Sequence, residues 1–312
     1  MNAYQSWFQW IYGTGRWLTI AVLTFSLTIA LNPQVHSQTP EPDSSLIPIA
    51  IELDTDDQPG RVPNGLSTSP SPVADGERGV LGSDDRVLMT SAAYPWSAIG
   101  RFEQRDPSGD VLSWCTGTLV GRDLVLTNAH CVVDSQTHEL TTDRLVFQPN
   151  MIRGQSSDTA TAIAVTYGTN FEDGAETADD WAIVRLDEPL GDYYGEVGWL
   201  SLPLDQSEIR TLLRNKLHLA GYSGDFPNNL PGYQPGETPG IHINCSITDV
   251  DSLGRFFHNC DTNGGASGSP LIGRLESGEY VILGLHAGRG DSNGEMINYG
   301  MPVDRWQDAI RN

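Results

Sequence analysis

The segment that decides the fold spans residues 260–270 and reads CDTNGGASGSP. Glycine has no side chain, so the glycines around the first serine allow the backbone to turn tightly. In such a loop the N–H groups of Gly265 and Ser267 can converge on one oxygen atom, which is the arrangement that stabilises an oxyanion. Pro270 directly follows the second serine, Ser269, so we expect Ser267 to be the nucleophile. A glycine-rich segment is often only a loop, and this interpretation therefore depends on the rest of the chain.

A second segment reads LTNAHC, ends at Cys131 and offers a general base. A predicted strand over Leu124–Asn128 ends in a short polar turn that presents His130. Cys131 can connect this turn to Cys115 on the preceding strand, and such a link would limit the movement of the imidazole. A serine hydroxyl becomes nucleophilic when an adjacent base accepts its proton. We therefore predict that His130 is the base that activates the serine.

A third segment, residues 179–186, reads DDWAIVRL and begins an apolar strand with two acidic residues. A carboxylate at the edge of a buried sheet can accept a hydrogen bond from an imidazole N–H and orient the ring. The apolar run that follows Asp180 makes it the expected partner of His130, and Asp179 is the alternative. An acidic residue that merely begins a strand is common in β proteins, so this segment gains meaning only beside the other two.

Together these segments resemble the chymotrypsin-fold (trypsin-like) serine peptidases. The run CTGTLVGRDLVLTNAHCV, which begins at Cys115, is similar to the Thr-Ala-Ala-His-Cys segment of that family, with Asn128 in place of the first alanine. The closest resemblance is to the bacterial glutamyl endopeptidase (V8-like) branch, which GYSGD at 221–225 and GLHAG at 284–288 also match. The resemblance covers residues 80–312, about three quarters of the chain.

The resemblance implies an all-β fold of two packed six-stranded antiparallel β-barrels with a short C-terminal helix. It also implies a secreted serine endopeptidase that hydrolyses peptide bonds through an acyl-enzyme. His130, Asp180 and Ser267 would be the catalytic triad in the cleft between the barrels, and Gly265 and Ser267 would form the oxyanion hole. The alternative is a catalytically silent, membrane-tethered binding module, although such proteins usually lose a triad residue and none is lost here.

The resemblance also bears on which peptide bond is cleaved. In the V8-like branch a threonine five positions before the serine and a histidine in a Gly-x-His segment line the specificity pocket, and these positions hold Thr262 and His286. A carboxylate in a partly dry pocket needs such donors, so a preference for Glu or Asp before the scissile bond is expected. Some members also use the mature α-amino group, here near Val80. Asp261, six positions before Ser267, is the competing feature, because an Asp at that offset would favour a trypsin-like preference for Arg or Lys.

The rest of the body reads as short strands separated by Gly, Asp and Asn. Only the C-terminus looks helical, since Val303, Trp306 and Ile310 share one face after Pro302. The predicted strands are Tyr94–Glu103, Trp114–Val120, Leu124–Asn128, Leu145–Gln148, Ala160–Tyr167, Asp180–Leu186, Leu217–Tyr222, Ile241–Thr248, Pro270–Leu275 and Tyr280–His286.

The N-terminal part divides into two segments. Residues 1–37 resemble a signal peptide, because the uncharged run Trp17–Leu31 is the size of its apolar region and shorter than the ~20 residues that span a bilayer. An uncleaved membrane anchor is the alternative. Residues 38–79 are rich in proline and acidic residues and lack aromatic ones, which predicts a flexible propeptide or linker before the peptidase domain at 80–312.

The net charge and the cysteines restrict the binding partners, cofactors and disulfides that we expect. A formal net charge of −22 disfavours binding to nucleic acid or anionic lipid. The resemblance implies protein or peptide substrates, and we expect a monomer with no stable membrane insertion after processing. The chain has no Cys-x-x-Cys or His-x-x-x-His pair, so we expect neither a metal nor another cofactor. Four cysteines allow three disulfide pairings, and spacing favours Cys115 with Cys131 and Cys245 with Cys260.

Overall fold

The structure is a computed structural model that describes residues 46–51, 57–69, 71–73, 84–134, 136–172, 178–292 and 295–311. The side chains of residues 291–296 are not described. All the described residues belong to one compact unit, Pro42–Asn312. The predicted signal peptide lies outside the described residues. No helix of the described part is long and apolar enough to cross a membrane.

Nearly all strand pairs of the described body are antiparallel, and only β8 pairs in parallel. Its strands are β1 (Arg86–Leu88), β2 (Ile99–Arg105), β3 (Val111–Gly121), β4 (Leu124–Thr127), β5 (Arg144–Pro149), β6 (Ala160–Tyr167), β7 (Ala182–Leu186), β8 (Gly198–Trp199), β9 (Leu217–Gly221), β10 (Gly240–Cys245), β11 (Ile247–Val250), β12 (Phe256–His258), β13 (Pro270–Arg274), β14 (Tyr280–Ser292) and β15 (Glu295–Pro302). Its helices are α1 (Gly191–Tyr194), α2 (Gln206–Leu212) and α3 (Gln307–Arg311), with 3₁₀ turns at Trp96–Ala98, Ala129–Cys131 and Val303–Arg305.

Strands β2 to β7 close into a six-stranded barrel with the order β2-β3-β4-β7-β6-β5. Its strands are rich in β-branched and aromatic residues, which fit a pleated surface buried on the inner side. Val125, Phe147 and Val184 are fully buried in one apolar cluster. Gly100 and Gly117 lie against the Phe147 ring, where a Cβ would come within 2.5 and 3.2 Å of ring atoms. The first barrel is therefore the one that the resemblance implied.

The remaining strands form a nine-stranded sheet with the order β1-β10-β9-β13-β14-β15-β12-β11, and β8 pairs with β14 off this path. The resemblance implied a second closed six-stranded barrel, and the structure differs because this sheet is open in its hydrogen bonding. The chymotrypsin-like all-β fold itself is confirmed. Sequence patterns also missed β12, which has only three residues, β15, which is interrupted by polar residues, and α2, which Asp205 caps through a capping box with Glu208.

The two disulfides join the pairs that spacing favoured. Cys115 of β3 is bonded to Cys131, and Cys245 is bonded to Cys260 at the start of the 260–270 segment. Each links residues 15 or 16 positions apart, which in the chain-entropy model is worth roughly 3 kcal/mol. The C-terminal prediction also holds, because Val303 and Trp306 are buried where the chain enters α3.

Part of the segment predicted to be flexible is packed on the body. We call residues 46–51 and 57–69 the strap. Ile49 is completely buried; its N–H donates to the carbonyl of Arg274 at 2.7 Å, and its carbonyl accepts from the N–H of Glu276 at 3.1 Å. Further along, Arg61 exchanges backbone hydrogen bonds with Glu196 at 2.8 and 2.9 Å.

The strap fits because the body leaves room for it. A Cβ on Gly273 would lie 2.4 Å from Cδ1 of Ile49, so the absent side chain accommodates the isoleucine. Residues 38–79 are mostly polar, and their overall composition does not reveal that a single apolar residue such as Ile49 is buried. The strap is therefore packed on the body where the sequence predicted a flexible segment, while residues 74–83 lie outside the described part.

Candidate active site

The His130 imidazole is hydrogen-bonded to Asp180. The Nδ1–Oδ2 distance is 2.7 Å, and the other carboxylate oxygen accepts from the backbone N–H of His130 at 3.0 Å. β4 ends at Thr127, and a 3₁₀ turn then presents the imidazole. Asn128 holds the partner strand by donating to the backbone carbonyl of Asp180 at 2.6 Å. The carboxylate therefore fixes which ring nitrogen faces it and leaves Nε2 for proton transfer.

Exposure distinguishes the two acidic candidates. Asp180 is 4% exposed, whereas the side chain of Asp179 is 45% exposed and faces Arg305, with an Oδ1–Nη1 distance of 3.6 Å. The structure therefore brings Asp180 to the imidazole. The side chain of His130 is itself 35% exposed, so a substrate can reach it.

The pKa of His130 reflects two opposing effects. Burial lowers the pKa, because it disfavours the charged imidazolium. The charge of Asp180 and its hydrogen bond raise it, and together they outweigh burial, so the pKa lies above its ordinary value. A base with a raised pKa binds a proton more strongly once it has accepted it.

The loop that carries Ser267 is held against the first barrel, at strands β3 and β4. The carbonyl of Ser267 accepts from the N–H of Thr116 at 2.7 Å, and Thr116 follows Cys115, which is bonded to the neighbour of His130. A Cβ on Gly268 would lie 2.4 Å from Oγ1 of Thr127, so only glycine permits this approach. The Ser267 hydroxyl donates to the carbonyl of Ala287 at 3.1 Å in this structure.

Gly265 has the conformation that turns the loop. Its φ of +92° lies in the region that favours glycine, and a Cβ there would come within 2.4 Å of Trp114 Nε1 and 2.5 Å of the Tyr222 carbonyl. Trp114 Nε1 donates to the same Tyr222 carbonyl at 2.8 Å, and this hydrogen bond holds the two groups that pack against Gly265. Within the described part of the chain, the N–H groups of Gly265 and Ser267 have no hydrogen-bond acceptor. These are the two donors that the sequence predicts for the oxyanion hole.

A buried histidine pair lies behind the predicted specificity pocket. His286 Nε2 is 3.3 Å from Thr262 Oγ1, and His286 Nδ1 is 3.0 Å from His258 Nε2. All three residues are at most 5% exposed. Burial first, then the charge of His130 and of Arg289, lower the pKa of His286 to about 3. Burial and the two neighbouring histidines, His286 and His242, also lower the pKa of His258 well below its usual value.

The Asp261 carboxylate contacts Asp85 and His242, and it does not contact Thr262 or His286. Its Oδ2 accepts from the backbone N–H of Asp85 at 2.9 Å, and the same oxygen is 3.2 Å from His242 Nδ1. The carboxylate thus lies toward β1 and β10. Val80 falls outside the described residues, so no contact of a mature N-terminus is described.

Among the residues that the structure describes, two clusters have the residue types of metal ligands. In the first, Cys115 and Cys131 flank His130, but both sulfurs are joined in the disulfide and neither is a thiolate. The second consists of Asp85, His242 and Asp261, where Nδ1 of the histidine already accepts from the backbone N–H of Asp261 at 2.9 Å. Hydrogen bonds within the cluster account for its geometry.

Sequence reasoning missed two residues near this pocket. The sequence does not single out His258, and the structure places it in contact with His286. Arg289 was not considered; its guanidinium Nη2 contacts the carbonyl of Thr262. A motif could not have found either one, because their relation to the pocket depends on strand pairing. The spacing of His286 and Arg289 becomes informative only once the register of β14 is known.

Comparison with known proteins agrees with this fold. The family model described as Trypsin matches residues 89–310, and the chain therefore belongs to the trypsin family of serine proteases. Glutamyl endopeptidase of Bacillus licheniformis is 25% identical over 216 residues, which are 64% of this chain and 56% of that protein. Serine protease 23 of Rattus norvegicus is 25% identical over 217 residues, which are 61% of this chain and 52% of that protein. The chain spans about half the length of the curated relatives it matches.

Solved structures show the same fold. A Glu endopeptidase in complex with MPD has a TM-score of 0.57 at 22% identity, covering 75% of this chain and 100% of its own. The protease Anisep from Arthrobacter nicotinovorans has a TM-score of 0.51 at 18% identity, covering 70% of this chain and 97% of its own. The predicted resemblance to chymotrypsin-fold peptidases, and in particular to their V8-like branch, is confirmed.

Proposed function

We propose that the chain is a serine endopeptidase in which Ser267 is the nucleophile, His130 the general base and Asp180 the group that orients the base. The observation that carries this proposal is the 2.7 Å hydrogen bond between His130 and Asp180, on the same barrel that holds the Ser267 loop through Thr116. Membership of the trypsin family supports the same chemistry.

The reaction follows from these positions. The Ser267 hydroxyl leaves the Ala287 carbonyl and donates its proton to Nε2 of His130 as it attacks the substrate carbonyl. The N–H groups of Gly265 and Ser267 stabilise the oxyanion, and each such donor is worth ~10²–10³ in rate. The imidazolium, stabilised by the Asp180 carboxylate, then protonates the leaving amine. Water hydrolyses the resulting acyl-enzyme by the same steps in reverse order.

A serine-directed phosphonate tests the nucleophile. We expect the wild type to hydrolyse peptides and to be labelled at Ser267, and the Ser267→Ala variant to do neither while keeping its melting temperature. The second serine provides a matched control, because Ser269→Ala should leave the labelled residue intact. Labelling of Ser267→Ala would contradict the assignment, and a wild type without hydrolysis or labelling would indicate a catalytically silent member of the family.

For the substrate, we propose a preference for Glu or Asp before the scissile bond. Thr262 and His286 provide a hydroxyl and an imidazole where a carboxylate needs donors, and they lie 3.3 Å apart. The trypsin-like alternative depends on Asp261, whose carboxylate is occupied by the N–H of Asp85 and faces away from these two residues. The Bacillus relative, named a glutamyl endopeptidase, is consistent with this preference.

Peptides that differ only at the residue before the scissile bond test this preference. We expect kcat/KM to be highest for Glu or Asp and low for Arg or Lys, because Asp261 does not face the pocket. The opposite order would favour the trypsin-like alternative.

We further propose that the protein is exported, as the signal-like N-terminus and two disulfides indicate, and acts as a monomer on protein or peptide substrates.

A further inference from the structure

The proposed pocket must compensate the negative charge of a substrate carboxylate. A substrate carboxylate that enters it leaves water, and this is costly unless a donor or a positive charge compensates. Thr262 is neutral, and because the pKa of His286 is about 3, its imidazole is also neutral near pH 7. The chain as a whole carries a formal charge of −22, so its overall field opposes an acidic substrate. A local cation is needed.

The register of β14 brings a cation to this face. His286 pairs with Gly300, and Gly288 pairs with Tyr299, so Ala287 is an extra residue in the strand. Side chains alternate between faces along a regular strand, and residues three apart would point to opposite sides. The bulge restores the alternation, and Arg289, which pairs with Asn298, lies on the same face as His286.

The opposite strand extends the same face. Asn298 also pairs with His258, so His258, Asn298 and Arg289 form one row across three strands. The contact of His258 with His286 at 3.0 Å confirms that these side chains share a side of the sheet. Asn298 donates to the carbonyl of Cys260 at 2.8 Å, which places this row beside the segment that leads to Thr262.

The guanidinium of Arg289 reaches the pocket wall. Its Nη2 contacts the backbone carbonyl of Thr262, whose hydroxyl is 3.3 Å from His286. A backbone carbonyl is an uncharged acceptor, and it leaves the positive charge of the guanidinium in place. The residue is otherwise exposed, so the remaining donors of its planar fork are accessible.

We propose that Arg289 is a specificity-determining residue that binds the side-chain carboxylate of the substrate residue preceding the scissile bond. This inference rests on the proposed endopeptidase function and names the charged group of its pocket. Thr262 and His286 then complete the site as neutral hydrogen-bonding groups. Guanidinium is suited to this role because it is always charged and can bind a carboxylate through two N–H groups.

Three peptides, identical except for Glu, Gln or Leu before the scissile bond, provide the test. We expect Arg289→Gln to lower the Glu-to-Gln ratio of kcat/KM by roughly 10- to 100-fold, the effect of a hydrogen bond to a charged group. The same variant should keep its kcat/KM for the Leu peptide, and Arg289→Lys should recover part of the ratio. Arg144→Gln is the matched control, because it removes an exposed arginine that contacts Thr161 at 3.0 Å on the first barrel.

The pH dependence separates arginine from histidine as the source of the charge. With Arg289 as the cation, the Glu-to-Gln ratio of the wild type should stay constant as the pH rises through the neutral range. With a protonated His286 as the cation, the ratio would fall as that imidazole loses its proton. A falling ratio in the wild type would therefore overturn the assignment.

The remaining outcomes are also distinct. An unchanged ratio in Arg289→Gln, with an active wild type, overturns the role of Arg289 and leaves the endopeptidase function standing. Equal losses on all three peptides, with no recovery in Arg289→Lys, indicate a structural role and overturn the proposal as well. A wild type that neither hydrolyses these peptides nor binds the phosphonate overturns the proposed function, and the role of Arg289 with it.

Discussion

The strap should contribute measurably to the stability of the peptidase body, and Ile49→Ala tests this. The Ile49 side chain is 0% exposed and packs over Gly273 with Leu283 nearby, so its truncation removes buried carbon atoms and leaves a cavity. Replacing a core isoleucine by alanine typically costs about 2–5 kcal/mol. For a domain of this size, 1 kcal/mol shifts the melting temperature by about 2–4 °C. We expect a decrease of about 4–20 °C.

Thermal unfolding followed by circular dichroism measures this decrease directly. Ile47→Ala is the matched control, because Ile47 lies two residues away on the same segment and is 43% exposed. Exposed substitutions usually stay within about 0.5 kcal/mol, so this control should melt within about 2 °C of the wild type. Equal melting temperatures for the Ile49 and Ile47 variants would refute the packing argument.

Removal of the strap by cleavage near Val80 should also lower the melting temperature. A chain that begins near Val80 lacks Ile49 and the backbone pairing of Arg61 with Glu196, so it should melt below the full-length form. If residues 38–79 act as a propeptide, the shorter form should also be the more active one, and both forms can be compared in one experiment. If the shorter form melts at the same temperature, the strap does not stabilise the body.

Three further predictions concern the site. Asp180→Asn should lower kcat by about 10⁴ and move the acidic limb of its pH profile to lower pH, because the carboxylate raises the pKa of the base; an unmoved limb in kcat/KM measurements would contradict this. Gly265→Ala should lower kcat by at least ~10², whereas Gly264→Ala should not, because a Cβ on Gly264 meets nothing within 4 Å; equal rates would exclude Gly265 from the oxyanion hole. Urea unfolding should show stability falling as the pH drops below 6.5, since the unfolded chain binds a proton that buried His286 excludes until about pH 3. That histidine alone should cost about 2 kcal/mol at pH 5, and a His286→Gln variant that is equally acid-sensitive would contradict the assignment.

Local sequence patterns were sufficient for the fold class, and they predicted the residues that we propose as the centre of the site. The segments around His130, Asp180 and Ser267 each combine a reactive side chain with the turn or strand that presents it, and this combination is visible in a few consecutive residues. The cysteine spacing likewise favoured both disulfides, because loops of about 15 residues close easily. The hydrogen bond from His130 to Asp180 then appears in the structure, while the catalytic roles remain proposals.

Other features were decided only by contacts between distant residues. The packing of Ile49 depends on the missing side chain of Gly273, and the direction of the Asp261 carboxylate depends on the backbone of Asp85. Arg289 joins the pocket because one extra residue in β14 changes the face on which it lies. Composition and periodicity describe neighbours along the chain, and they contain no information about register or about which strands meet. Tertiary structure supplied that information, and the charge of the proposed pocket follows from it.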